Sequence, residues 1–236
     1  EEFRPAMDRL RVLGFIGCNV TVPHKFAALA ACDTLDPEAE ALGAVNTIRF
    51  TPDGLHGYNT DGPGFCNAVR DCFGGVLSGL TVAIVGAGGG AGQAIATQCV
   101  LSGAAKLVLI NRTRSKLDAL LKHLAEFNRD TEIHALGLDD ARLADECRAC
   151  HLLVNTSSVG LKEGDPSILP ATCLREGQWV YDTIYQPPVT PLLALAGRSG
   201  CHTANGLSML IHQGALSFQH WFPATEPLPH MRKALA

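Results

Sequence analysis

The chain has 236 residues, 47% of them hydrophobic and 18% charged, with a formal net charge of −4, an ordinary globular composition. That mildly acidic balance leaves no electrostatic footprint for nucleic acid, no apolar run reaches the ~18 residues that cross a bilayer, and the opening EEFRPAMDRL does not read as a secretory signal. Nine scattered cysteines, an odd number, predict reduced thiols in a cytoplasmic protein rather than a disulfide framework.

In chain order, Phe3, Met7 and Leu10 carry a helical period. A β-rich run, CNVTV from Cys18 to Val22, stops at Pro23, and an alanine-rich helix is expected over 26–32. Asn19, Thr21 and Lys25 therefore fall at a strand-to-helix junction, where polar groups can face a cleft. On spacing alone Lys25 reads as a solvated lysine. Asp36-Pro37 opens a short helix closed by Gly43, residues 44–48 are strand-like and include Asn46, and Thr51 to Gly54 form a turn. The stretch LHGYNTD leads to Asp61 at a second strand-to-helix junction, where a helix cap would by itself explain an aspartate. Phe65, Ala68, Val69, Cys72 and Phe73 then mark a helical stripe, and Gly74 to Gly79 a linker.

The stretch from Thr81 to Ser115 reads as strand, glycine turn, helix and second strand, half of a dinucleotide-binding unit. Gly86 allows the tight turn. Gly88 lets backbone N–H groups approach a pyrophosphate. Ala91 and Gly92 let the helix lie against the strand. Ala87, Gly89 and Gly90 complete the loop, and the helix N-terminus supplies unpaired N–H groups. A NAD site usually has a carboxylate at the end of the second strand. Here Asn111, Arg112 and Thr113 stand there with Lys116 close by, a pattern that repels nothing on a 2′-phosphate and predicts NADP.

Further strands are expected over 132–136, 151–156, 178–185 and 201–204, with helices over 115–127, over 139–150 and from Thr190-Pro191. Thr156 and Ile184 lie at strand carboxyl ends, where open α/β sheets bind ligands. This alternation predicts a parallel, doubly wound sheet. Cys147-x-x-Cys150 has no second ligand pair at zinc spacing; it reads as a structural pair, and no metal is expected. A long helix follows Asn205, with Met209 and Gln213 paired at i, i+4, and a short helix ends the chain.

Seven stretches occur in register: NVTVPHK (19–25), GAVNT (43–47), YNTDG (58–62), GAGG (86–89), NRT (111–113), DTIYQPPVTPLL (182–193) and NGLSMLIHQG (205–214). Together they resemble the NADP-dependent shikimate dehydrogenase family. The resemblance implies an α/β protein of two domains with a cleft between them. One is an α/β substrate-binding domain, incomplete here (residues 1–78 with 205–236). The other is a Rossmann-like, doubly wound NADP domain (79–204). The implied reaction is reversible hydride transfer from NADPH to the 3-keto group of 3-dehydroshikimate, giving shikimate, a step toward chorismate and the aromatic amino acids. By motif position Lys25 would be catalytic with Asp61 as partner. Asn19, Thr21, Asn46, Tyr185 and Gln213 would bind substrate. Gly86, Ala87, Gly88, Gly89, Gly90, Asn111, Arg112, Thr113, Lys116, Gly206 and Met209 would line the cofactor site, with Thr156 and Ile184 as further candidates. The family's opening strand and its S-x-S loop have no counterpart after Glu1, so about one strand–helix–strand unit is expected upstream. The alternatives are a quinate/shikimate or aminoshikimate dehydrogenase and, from another class, a non-catalytic NADP-binding paralogue or inactive fragment. The homodimer is left open.

Overall fold

The structure, a computed structural model, describes residues 2–235. The chain divides into two compact units: the segment up to Phe65 together with the segment from Leu210, and the continuous segment Cys66–Met209.

The first unit is built on a four-stranded mixed sheet. Its strands are β1 (Gly17–Asn19), β2 (Thr34–Leu35), β3 (Thr47–Thr51) and β4 (Gly54–Tyr58), in the order β1-β3-β4-β2. β3 runs antiparallel to both β1 and β4, and β2 runs parallel to β4. Period-two alternation splits the sheet into two unlike faces. Cys18, Ile48, Phe50 and Leu55 share one face and join Met7, Ala28 and Ala39 in an apolar cluster. Those last three come from α1 (Phe3–Val12), α2 (Lys25–Ala31) and α3 (Pro37–Leu42). α3 starts on Asp36, whose side chain accepts from the Glu38 N–H at 2.9 Å, and ends on Gly43 at φ +63°. The opposite face carries Asn19, Thr47, Arg49, His56 and Tyr58.

Two expectations are corrected here. The first strand stops at Asn19, short of Val22, because the Thr21 carbonyl accepts from the His24 N–H and closes a turn. The strand expected over 44–48 begins only at Thr47, since the Val45 N–H is taken by the Lys25 carbonyl. The two-residue β2 went unforeseen; it is too short to show a period.

α4 (Asp61–Phe73) leads into the second unit. Six parallel strands make its sheet: β5 (Thr81–Val85), β6 (Lys106–Ile110), β7 (Glu132–Leu136), β8 (Leu152–Asn155), β9 (Trp179–Asp182) and β10 (His202–Asn205). Their order is β10-β9-β8-β5-β6-β7, the doubly wound arrangement, with its switch point where β5 lies between β6 and β8. Runs such as TVAIV and KLVLI are buried almost throughout, as parallel strands covered on both faces must be. The helices are α5 (Gly90–Leu101), α6 (Ser115–Ala125), α7 (Leu143–Ala149) and α8 (Pro191–Arg198). α5 is lined with small residues and buried on nearly all sides, whereas α6 buries only the stripe Leu117, Leu120 and Leu124. β9 ends earlier than the expected Tyr185 because the Asp182 carboxylate accepts from the Ile184 N–H at 3.0 Å and turns the chain. α7 likewise begins later than 139: the Asp140 carboxylate accepts from the Arg142 N–H at 3.0 Å and holds a turn there. α9 (Leu207–Trp221) and α10 (Pro227–Leu235) complete the chain. All nine cysteines are free thiols, and Cys147 and Cys150 are buried in the apolar core of the second unit.

Candidate active site

In the first unit the structure brings Lys25 and Asp61 together. Lys25 is the first residue of α2 and Asp61 the first of α4. Nζ donates to the Asp61 carboxylate at 2.6 Å, with side chains 22% and 15% exposed. The cap expected of Asp61 comes instead from Asn59, whose Oδ1 accepts from the Asp61 N–H at 3.0 Å. Asn59 is held in turn by the Ala44 carbonyl, to which its Nδ2 donates at 2.9 Å. The Asp61 carboxylate is thereby left for the lysine.

Asn46 is buried between the same two junctions. Its Oδ1 accepts from the Thr60 N–H at 2.9 Å and from the Thr47 hydroxyl at 3.0 Å, and its Nδ2 donates to Thr60 Oγ1 at 3.0 Å. Asn19 and Thr21 are exposed, and Asn19 Nδ2 donates to the Asn46 carbonyl at 3.3 Å. Gln213, on α9, packs its Cβ against Gly64, where a side chain would collide at 2.8 Å. Sequence reading missed Asn59, Thr47, Thr60 and Ser217. The first three lie inside quoted motifs or beside them. Ser217 is signalled only by standing four residues after Gln213, on the same helix face.

The second unit carries a different kind of site, made mostly of backbone. Gly86 turns the chain at φ +84° directly after β5, and a Cβ there would meet the Ser157 N at 2.8 Å. Gly92 lies against the same turn: its Cβ would stand 2.5 Å from the Gly86 carbonyl oxygen and 2.6 Å from Ala87 Cα. Gly89 caps α5 in extended conformation with no side-chain hydrogen bond, so the first-turn N–H groups are open to an anion. A Cβ on Gly90 would meet nothing within 4 Å, whereas one on Gly88 would press on Lys116 and Asn111, and the Gly88 N–H donates to Asn111 Oδ1 at 3.3 Å. Thr156 crosses the switch point, donating from its hydroxyl to the Val85 carbonyl at 2.8 Å.

Past β6, Asn111 is pinned by the Thr113 carbonyl at 2.8 Å and Arg114 by the Ala135 carbonyl at 3.0 Å. Arg112 and Lys116 are exposed and have no carboxylate partner among the described residues. Ile184 is buried and Tyr185 exposed. Gly206 is locked in place, its N–H donating to the Ile184 carbonyl at 3.1 Å while any Cβ would strike the Thr183 carbonyl. The Met209 N–H donates to the Tyr181 hydroxyl at 3.2 Å. Burial raises the Asp182 carboxyl pKa against the pull of Thr190, the Ile184 N–H and Asn155. Among the described residues no group of three or more His, Cys, Asp or Glu is placed to hold a metal ion.

A glycine cradle at a doubly wound switch point is the mark of dinucleotide-binding proteins, and a positioned lysine can supply the proton that a carbonyl reduction needs; the class these suggest is the nicotinamide-dependent oxidoreductases. Family models narrow that class. "Shikimate dehydrogenase substrate binding domain" matches residues 1–48 and "Shikimate 5'-dehydrogenase C-terminal domain" matches residues 206–236. A shikimate dehydrogenase (NADP(+)) of Methanopyrus kandleri is 39% identical over 225 residues, 94% of this chain and 77% of that protein. Among solved structures, shikimate 5-dehydrogenase from Listeria monocytogenes, in complex with shikimate and NAD, superposes with a TM-score of 0.91 at 31% identity, over 100% of this chain and 82% of that one. Quinate dehydrogenase from Corynebacterium glutamicum, in complex with NAD, also gives 0.91, at 29% identity and the same coverage. The chain belongs to the shikimate dehydrogenase family.

Proposed function

We propose that the protein catalyses the reversible, NADPH-dependent reduction of 3-dehydroshikimate to shikimate. The observation that carries this reading is the 2.6 Å contact between Lys25 and Asp61. When bound, NADPH supplies a hydride to the C3 carbonyl carbon of the substrate. The carbonyl oxygen then takes on the electron pair of its π bond and needs a proton. Lys25 holds one at Nζ and gives it to that oxygen; in the oxidising direction the neutral amine takes it back from the C3 hydroxyl. Asp61 fixes the ammonium by a charge-assisted hydrogen bond and offers its second oxygen to a neighbouring ring hydroxyl. Asn19, Thr21, Asn46, Tyr185 and Gln213 bind the remaining polar groups of the substrate.

The fit of NADP rests on the backbone cradle and on the basic loop. The open N–H groups of α5, with Gly86, Ala87, Gly88, Gly89 and Gly90, receive the pyrophosphate. Arg112, Thr113 and Lys116 receive the 2′-phosphate, for which a planar guanidinium is well matched, and Asn111 shapes that loop. Thr156, Ile184, Gly206 and Met209 line the nicotinamide end. In this reading residues 1–78 with 205–236 serve the substrate, apart from Gly206 and Met209, and residues 79–204 the cofactor, apart from Tyr185. The protein works in the cytoplasm on a free small molecule. No helix of the described residues is long and apolar enough to cross a membrane.

The test is a comparison of initial rates on shikimate and on quinate, each with NADP+ and with NAD+, following absorbance of the reduced nicotinamide. Shikimate with NADP+ is expected to be the fastest combination. Faster turnover of quinate with NAD+ would overturn both the substrate and the cofactor assignment.

A further inference from the structure

The interior of α9 contains a serine where packing alone would favour alanine. Ser217 is fully buried, on the helix face it shares with Gln213 and turned away from the one that buries Ala215. Serine is a poorer helix former than alanine and needs partners for its hydroxyl. Ser217 has four. Asn19 Nδ2 donates to it at 3.0 Å, the Thr47 and Thr60 hydroxyls lie at 2.7 and 3.0 Å, and its own helix offers the Gln213 carbonyl at 2.9 Å. Those partners lie at the end of β1, at the start of β3, just before α4 and on α9. One oxygen therefore ties together the polar face of the first sheet and the loops beside it.

The consequence falls on Asn19. Its Nδ2 is committed inward to the Asn46 carbonyl at 3.3 Å, Thr47 Oγ1 at 3.2 Å and Ser217 Oγ. An amide has two N–H donors, and three acceptors engage them. Oδ1 makes no hydrogen bond among the described residues and is the only end of the side chain left to a ligand. Asn46 is oriented the other way: its Oδ1 is saturated by Thr47 and Thr60, and one N–H remains. The two amides thus offer opposite polarity, an acceptor at Asn19 and a donor at Asn46.

We propose that Ser217 is a positioning residue for substrate recognition: its buried hydroxyl fixes the Asn19 amide so that the oxygen, not the NH2, meets a substrate hydroxyl. The proposal rests on the function given above. Without the serine oxygen, Asn19 loses its shortest inward acceptor, and only the longer contacts to the Asn46 carbonyl and Thr47 Oγ1 oppose a flip that presents its NH2, which cannot accept from a hydroxyl.

The test is steady-state kinetics with shikimate and NADP+ on the wild type, Ser217→Ala, Ser217→Cys, Asn19→Ala and the Asn19→Ala/Ser217→Ala double variant. Loss of one such hydrogen bond predicts a rise in KM for shikimate of about fivefold to tenfold in Ser217→Ala. The kcat and the KM for NADP+ should each stay within about twofold. Ser217→Cys leaves no cavity, being slightly larger than serine, but bonds weakly, so it should raise the KM for shikimate as alanine does, which a cavity effect would not produce. If Ser217 acts through Asn19, the double variant is no worse than Asn19→Ala alone. Multiplying effects in the double variant, an intact KM in Ser217→Ala, or equal shifts in both KM values would overturn the proposal while leaving the function standing. A wild type that does not turn over shikimate overturns the function and this proposal with it.

Discussion

The two units of the chain carry candidate sites of opposite construction. The first has a sheet with one apolar and one polar face, and its candidate site is made of side chains: a lysine, an aspartate, two asparagines and the hydroxyls around Ser217. The second has a sheet buried on both faces, and its site is made largely of backbone that lacks side chains, at Gly86, Gly88, Gly89 and Gly92. A site built of side chains fails when one is removed. A site built of bare backbone fails when one is added.

The largest expected effect breaks the first unit's site alone. Lys25→Ala should lower kcat by roughly 10²–10⁴-fold, the usual contribution of a positioned proton donor. Titration of the variant with NADP+ should give the wild-type affinity, since no cradle group has been touched. An unchanged kcat would remove the proton donor from the mechanism. The converse experiment adds one methyl to the second unit. In Gly92→Ala the new Cβ meets the Gly86 carbonyl and Ala87 Cα, both backbone, so the start of α5 must move. Overpacking of this kind costs about 1–3 kcal/mol, and NADP+ affinity should fall roughly tenfold as the N–H groups leave their places. A variant with normal affinity and melting temperature would show that the turn tolerates displacement.

Arg112→Ala sharpens the comparison, because here the backbone site relies on a side chain. Hydrogen bonds to a charged group are worth about 1.5–3 kcal/mol. NADP+ should therefore weaken by roughly 10–150-fold, with NAD+ affinity unchanged. Equal loss of both would place Arg112 on the pyrophosphate instead.

The smallest effects are in pH dependence, and the two units should show opposite signs. In the first, Asp33 is held below the ordinary carboxylate range by Arg4, which bonds it at 3.0 Å, and by the Leu55 N–H at 2.7 Å. A depressed carboxyl adds stability above its unfolded pKa of about 3.9, and that stability is lost as the pH falls through its lowered native value. In the second, burial raises Asp182. A raised carboxyl contributes most below its unfolded pKa and loses that contribution as the pH rises through the native value. Peptide-resolved hydrogen exchange over β4 and β9 between about pH 3 and 7 would measure both. Asp33→Asn should flatten a slope that rises with pH, and Asp182→Asn one that falls. Slopes of the same sign would contradict the assignments.

What could be read in the amino-acid order follows the same division. The backbone site was legible because glycine spacing and the absent carboxylate at 111–113 are local signals. The Lys25–Asp61 pair was legible only through resemblance; its two members are 36 residues apart, and each alone suits a surface lysine and a cap. The joining of the polar network through Ser217 was not legible, although several of its members lie in the quoted motifs. The Ser217 hydroxyl meets Asn19 across 198 residues and Thr60 across 157, and nothing in a helical period separates a serine that packs from one that binds. The early end of β1 and the two-residue β2 escaped for a related reason: single backbone hydrogen bonds decided them, not patterning.

Asn59 has a bearing on how such a protein changes over generations. Because the neighbouring amide, not the carboxylate, secures the start of α4, position 61 can be altered without unwinding the helix. An aspartate at a helix start can both cap the helix and bind another group, and selection on folding then protects the second task. Here the two tasks are divided, so drift at residue 61 would remove the partner of Lys25 while the start of α4 stays secured, and a folded descendant could be recruited to another use.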